Sequence, residues 1–167
     1  MNKIIIIGPE CSGKTTLAND LSNALNLPVI AEYARDYISE IKYKYQQSDL
    51  IKIAKEQWRK EKSINQSLTI FDTDLITLKI WSEFKYKKCD PWIINKINEQ
   101  KDESRLYLLC NPDIKWEFDP QRENQFDRDK IFQIYKCELQ TLNHDYFIIK
   151  DQDRLVQAKK IIKNFIG

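Results

Sequence analysis

Glycine, proline, histidine and methionine are scarce in this 167-residue chain, with 3, 5, 1 and 1 copies. That scarcity excludes collagen-like and linker-like sequence, and no segment is of low complexity. Cysteine occurs at Cys11, Cys89, Cys110 and Cys137 and never as a C-x-x-C pair. Neither a zinc site nor a disulfide framework is expected, and scattered thiols suit a reducing compartment. Charge of one sign is also missing. Lys and Arg number 27 and Asp and Glu 25, for a net +2. No strong field therefore calls for nucleic acid or an anionic membrane. Long apolar runs are absent as well. The N-terminal one, Ile4 to Ile7, is too short for a signal peptide or a membrane span. A cytoplasmic protein without nucleic-acid or membrane partners is expected.

What is present is globular: 42% hydrophobic and 31% charged residues, enough for one domain over 1–167. Short apolar runs alternate with longer amphipathic stretches, the pattern of an α/β protein with a parallel sheet. Strands are expected over 3–7, 28–31, 68–71, 105–110 and 146–150. Helices are expected over 13–24, 34–40, 50–65, 75–84, 91–100, 128–142 and 152–165. Pro91 suits a first helical turn capped by Asp90.

Gly8-Pro9-Glu10-Cys11-Ser12-Gly13-Lys14-Thr15 matches G-x-x-x-x-G-K-[ST] in full, between an expected strand and an expected helix. Glycines let backbone N–H groups approach phosphate oxygens, and the helix start adds its positive dipole end. Glu10, Cys11 and Ser12 line this loop. Lys14 brings a compact charge to the β- and γ-phosphates, Thr15 offers a hydroxyl to Mg²⁺, and Thr16 reaches the α-phosphate. Cys11 sits where a thiol pKa can fall, but it reads first as a small residue in a variable loop position. The fold expected is a P-loop NTPase three-layer sandwich: a five-stranded parallel sheet, helices on both faces and a short lid at about 112–128. ATP is the expected nucleotide. No motif reads the base, so GTP stays open.

Ligands of open α/β sheets lie beyond the carboxyl ends of the strands. Asp72 stands at such an end, where a carboxylate orients hydrated Mg²⁺. Asp74, two residues on, can face a substrate hydroxyl or cap the next helix. Glu32 ends the second strand and either faces a hydroxyl nucleophile or pairs with Arg35. The polar segment Asp119 to Arg128 reads as a lid, with Arg122 and Arg128 closing over ATP or lying solvated. Tyr33, Trp81, Trp116 and Phe118 are flat surfaces for a ring, and of these Tyr33 and Trp116 are expected near ligand. The run Lys85 to Lys88 reads as a solvated helix end.

Taken together, Gly8 to Thr16, Glu32-Tyr33-Ala34-Arg35, Phe71-Asp72-Thr73-Asp74, Trp116 and Asp119-Pro120-Gln121-Arg122 with Arg128 resemble the ribosylnicotinamide kinase domain of NadR-type proteins. The resemblance spans nearly the whole chain. It implies an ATP-dependent kinase of the nicotinamide riboside 5′-hydroxyl. It puts Gly8 to Thr16 on ATP and Mg²⁺, and Glu32, Tyr33 and Arg35 around the nucleoside. Asp72 and Asp74 would serve metal and ribose, with Arg122 and Arg128 in the lid. Members with adenylyltransferase activity carry an H-x-G-H signature. Here the one histidine is His144, so adenylyl transfer is not expected. A regulatory nucleotide switch and a nucleic-acid end kinase share the phosphate loop. The first lacks its N-K-x-D guanine signature here, since Asn95-Lys96 runs into Ile97-Asn98, and the second lacks positive charge.

Overall fold

The computed structural model describes residues 2–166. Its elements run β1 (Asn2–Ile7), α1 (Lys14–Leu25), β2 (Val29–Ile30), α2 (Tyr33–Glu40), α3 (Gln47–Lys62), β3 (Leu68–Asp72) and α4 (Leu75–Tyr86). Then follow α5 (Pro91–Glu99), β4 (Arg105–Cys110), α6 (Arg128–Thr141), β5 (Asp145–Ile149) and α7 (Arg154–Ile166). All five strands are parallel, in the order β2-β3-β1-β4-β5.

β1 is central because it can be buried on both faces. Ile5 and Ile7 point into one core with Phe71, Tyr107 and Leu109, under α2 to α6. Ile4 and Ile6 point into the other with Ile70, Leu106 and Leu108, against α1 and α7. Each such side chain contributes about 2 kcal/mol of transfer free energy, which is why an unbroken Ile run reads as a central strand. The sheet order reverses direction at β1, since β2 and β3 lie to one side and β4 and β5 to the other. A crevice must open at the carboxyl end of β1, and the phosphate loop begins there.

Two element boundaries differ from expectation for local reasons. β2 shrinks to Val29–Ile30, since Pro28 has no N–H to donate and the chain turns into α2 at Glu32. α3 starts at Gln47, three residues ahead of the expected Leu50. The Asp49 carboxylate accepts from the Gln46 backbone N–H at 2.8 Å and closes a capping box. α5 starts as expected, with Pro91 in its first turn and Asp90 accepting from Trp92 N at 2.8 Å. Among the described residues no helix is long and apolar enough to cross a membrane.

Candidate active site

Two of the chain's 3 glycines are in the phosphate loop, and both are required there. Gly8 has φ 146°, and a Cβ on it would lie 2.6 Å from the Cys110 carbonyl oxygen. Gly13 has φ 79°, and its Cβ would meet Ile114 at 2.8 Å. Between them Cys11 is also left-handed, at φ 51°. The loop carbonyls are taken from outside. Arg128 Nη1 donates to Cys11 O (3.1 Å) and Ile114 O (2.8 Å). Arg154 Nη1 donates to Ser12 O at 2.8 Å, and its other nitrogen binds Asn111 O and Asp113. Holding those carbonyls outward leaves the N–H groups of the loop and of α1 for an anion. Lys14 Nζ donates to Pro9 O at 2.8 Å, so its ammonium is held at the loop.

The β1–β3 register sets Asp72 beside Ile6 at the edge of this loop. Thr15 Oγ1 donates to Asp72 Oδ2 at 2.6 Å. Asp72 Oδ1 is buried and has no partner among the described residues. Burial raises the Asp72 pKa, while the Thr15 hydroxyl and the Lys14 charge oppose the rise. A hydroxyl and a carboxylate with one free oxygen fit Mg²⁺, which takes few protein oxygens and keeps its waters.

A cavity of about 450 Å³ opens from the loop. Gly8 to Thr16 form one end of it. Glu32, the residue before α2, and Arg35 line it too. Desolvation raises the Glu32 pKa from 4.5, Lys14 pulls it down and Asp72 pushes it up. The sequence left a Glu32–Arg35 pair open. Instead Arg35 Nη1 donates to Asp119 Oδ2 on the lid at 2.9 Å, so Glu32 is not spent on it. The far walls are Thr77, Ile80, Trp81, Phe84 and Lys85 of α4, with Ile131 and Tyr135 of α6. Arg122 and its neighbours 121, 123 and 124 form the roof, and Lys44 lies at the rim.

Five expected site residues do not line this cavity: Asp72, held on the Thr15 hydroxyl, and Asp74, Tyr33, Trp116 and Arg128. Asp74 is 1% exposed. One carboxylate oxygen accepts from Ile76 N, capping α4, and the other accepts from Arg105 Nη2 and Tyr107 Oη. With both oxygens engaged it cannot receive a substrate hydroxyl, and it serves the core instead. Tyr33 packs half-buried against the core beside Tyr37, with Lys60 Nζ 4.5 Å from its ring centroid. Trp116 lies within the lid but not in the cavity lining, with the Arg122 and Arg128 guanidinium carbons 6.0 and 5.6 Å from its ring centroid. Arg128 holds the loop carbonyls rather than facing the cavity. Phe118, 87% exposed, is likewise no ligand surface.

Trp81 is a named candidate that gave way to Tyr33 and Trp116; the residues without any expectation are the others of α4 and α6, and Arg154. Thr77, Ile80, Trp81 and Phe84 recur at helical spacing straight after Asp72, a signal available in the sequence. Lys85 was assigned to a solvated helix end, yet it turns to the cavity. Arg154 carried no sequence signal.

A family model described as AAA domain matches residues 3–154. The chain belongs to this AAA-domain family. Beyond the family, this AAA-domain chain is weakly homologous to NadR. The trifunctional NAD biosynthesis/regulator protein NadR of Salmonella typhimurium is 28% identical over 178 residues, which cover 98% of this chain and 42% of the relative. The protein of that description from Escherichia coli strain K12 is 25% identical, with 98% and 42% covered. The chain thus spans less than half the length of these curated relatives. Among solved structures, a NadR protein in complex with NR superposes with a TM-score of 0.82 at 18% identity, over 98% of this chain and 51% of that one. A deoxyadenosine kinase from M. mycoides superposes at 0.63 and 15% identity, with 98% of both chains covered. These structures share the fold of the AAA-domain chain.

Proposed function

We propose that this chain is an ATP- and Mg²⁺-dependent kinase that phosphorylates the 5′-hydroxyl of a nucleoside, nicotinamide riboside in the first place. The observation that carries the reading is the shared cavity. A phosphate loop forms one end of it, a carboxylate of raised pKa stands on its wall, and apolar and aromatic walls leave room for a second small molecule. A nucleotide switch has no use for that second compartment. The NadR relatives and the structure in complex with NR favour nicotinamide riboside as the acceptor.

Phosphoryl transfer needs positioning and charge neutralisation more than covalent chemistry. The loop N–H groups and Lys14 hold the β- and γ-phosphates of ATP. Thr15 and Asp72 hold Mg²⁺, which when bound neutralises charge on the transferring group. Glu32 accepts the proton of the acceptor hydroxyl as its oxygen bonds to phosphorus, and ADP departs with the electrons of the broken P–O bond. The Glu32 carboxyl, made more basic by burial, suits that proton transfer. Arg122 lines the same cavity, and turned to the donor phosphates its fixed charge would stabilise the transferred group. Ile80, Trp81 and Phe84 exclude water and present a flat face to the acceptor ring.

The test is direct. Purified protein with Mg²⁺, ATP or GTP, and a panel of nucleosides is assayed by mass spectrometry for the 5′-monophosphate. Nicotinamide mononucleotide formed in step with ADP is the expected result. Steady nucleotide hydrolysis with no phosphorylated acceptor overturns the reading.

A further inference from the structure

The lid residue after Arg122 makes contacts that the proposed chemistry does not use. The Glu123 carboxylate accepts from Lys85 Nζ at 2.7 and 2.8 Å and from Tyr45 Oη at 2.6 Å. Tyr45 Oη in turn accepts from Trp81 Nε1 at 3.1 Å. On the other side of the same residue, the Glu123 backbone N–H donates to Glu10 Oε2 of the phosphate loop at 2.9 Å. Asn124 N joins the same oxygen at 2.8 Å, and Asn124 Nδ2 reaches Glu10 Oε1 at 3.2 Å. The lid is thus strapped at one residue on two sides: to Glu10 at the phosphate loop, and to Lys85 and, through Tyr45, to Trp81 on α4.

Arg122 is not anchored by its own side chain in the same way. It donates to Glu117 O within the lid, at 2.7 Å, and lies against Trp116. Its height over the cavity therefore follows the backbone of the next residue. Residues 111–127 form neither helix nor strand. A segment of that kind holds a charge at a fixed place only if contacts outside it remove its freedom.

We infer that Glu123 is a positioning residue for Arg122: its two-sided strap to Glu10 and to Lys85 and Tyr45 fixes the lid backbone that keeps Arg122 in the lining of the cavity it shares with the phosphate loop. This rests on the kinase reading for its kinetic consequence, but the strap itself does not. Charge-assisted contacts of this length are the strong members of their class, and here two donors, Lys85 Nζ and Tyr45 Oη, and one acceptor, Glu10 Oε2, converge on one lid residue.

The experiment has two arms. The first is hydrogen–deuterium exchange of the peptide spanning residues 119–127 in nucleotide-free Glu123→Ala and Glu123→Gln proteins. Faster exchange than wild type is expected, larger for Ala, because Gln keeps an acceptor for Lys85. Unchanged exchange in both overturns the strap, whatever the protein phosphorylates. The second arm is a double-mutant cycle of Glu123→Ala with Arg122→Ala, read on kcat and on the Kd of a non-hydrolysable ATP analogue. Glu123→Ala alone should lower kcat roughly tenfold to a hundredfold. In the Arg122→Ala background it should cost almost nothing further, because the group it positions is gone. Additive losses overturn the assignment, since they would mean that Glu123 acts through the fold and not through Arg122. A wild type that phosphorylates no acceptor defeats the kinase reading, while the exchange arm and the analogue Kd still decide this one.

Discussion

The two ends of the cavity are made in different ways. The donor end is a short run of contiguous backbone, Gly8 to Thr16, completed by Asp72 through strand register. The end proposed for the acceptor is made of side chains from Glu32, α4, α6 and the lid, drawn from points a hundred residues apart in the chain. A backbone site demands glycine at defined positions, because a Cβ at Gly8 would lie 2.6 Å from a carbonyl oxygen. A side-chain site makes no such demand, and many apolar residues can form the same wall. Chemistry common to all phosphate-binding loops sits at the rigid end. Selectivity sits at the end assembled from replaceable parts.

The comparison can be broken at each of its supports. The largest effect is expected at the donor end. Lys14→Ala should lower turnover about a thousandfold, the scale of losing a preorganised charge at the transferring group. Steady-state kinetics check this, and near-normal turnover would dissolve the donor assignment. Next is Glu32→Gln, expected to lower kcat on the order of a hundredfold with little change in ATP affinity. In the wild type the acid limb of kcat/KM should lie above the ordinary value of 4.5, because burial raises the Glu32 pKa, and the variant should lose that limb. Stability should move the opposite way. The fold disfavours ionised Glu32, so above its raised pKa the Gln variant should melt higher than wild type. That gain should fade as the pH drops to the unfolded value, where both states bind the proton. A lower Tm at neutral pH would contradict the burial argument.

Asp74→Ala should leave the donor and acceptor chemistry in place and cost roughly 3 kcal/mol in denaturant unfolding, because it strips Arg105 of a buried partner. A variant that stays fully stable but loses acceptor affinity would return Asp74 to the site. The smallest effect is expected at the acceptor wall. Trp81→Ala should raise the acceptor KM about tenfold, within the range for losing an aromatic contact, and leave the ATP KM nearly unchanged. Equal changes in both would show that the two ends are not separable.

Much of this was readable before any coordinates. The strands, the helices, the phosphate loop and the position of Asp72 follow from β-branched runs, caps and glycine spacing. The two aspartates of Asp72-Thr73-Asp74 were not separable that way. Thr73 takes a left-handed φ of 70°, which turns the chain between them. Asp72 ends on the face that meets α1, and Asp74 is carried under α4 to Arg105 and Tyr107. Neither the turn nor the distant arginine is visible in a three-residue motif. The aromatic residues went astray for a similar reason. Tyr33 and Trp116 lie next to motif residues in sequence, but Trp81 is the one that the packing of α4 turns into the cavity.

By itself the sequence determined that a nucleotide phosphate is held here, because a loop of backbone N–H groups is written in glycines and in the elements flanking them. It also determined the α/β sandwich, because burial on both faces needs an unbroken apolar strand. Only the tertiary structure decided which carboxylate stands beside the phosphate loop and which lies in the core. It alone showed which side chains line the cavity beyond the loop, and that Arg128 and Arg154 hold the loop from outside. Those are matters of which way a side chain points after the chain has crossed the sheet, and local sequence carries no force that sets it.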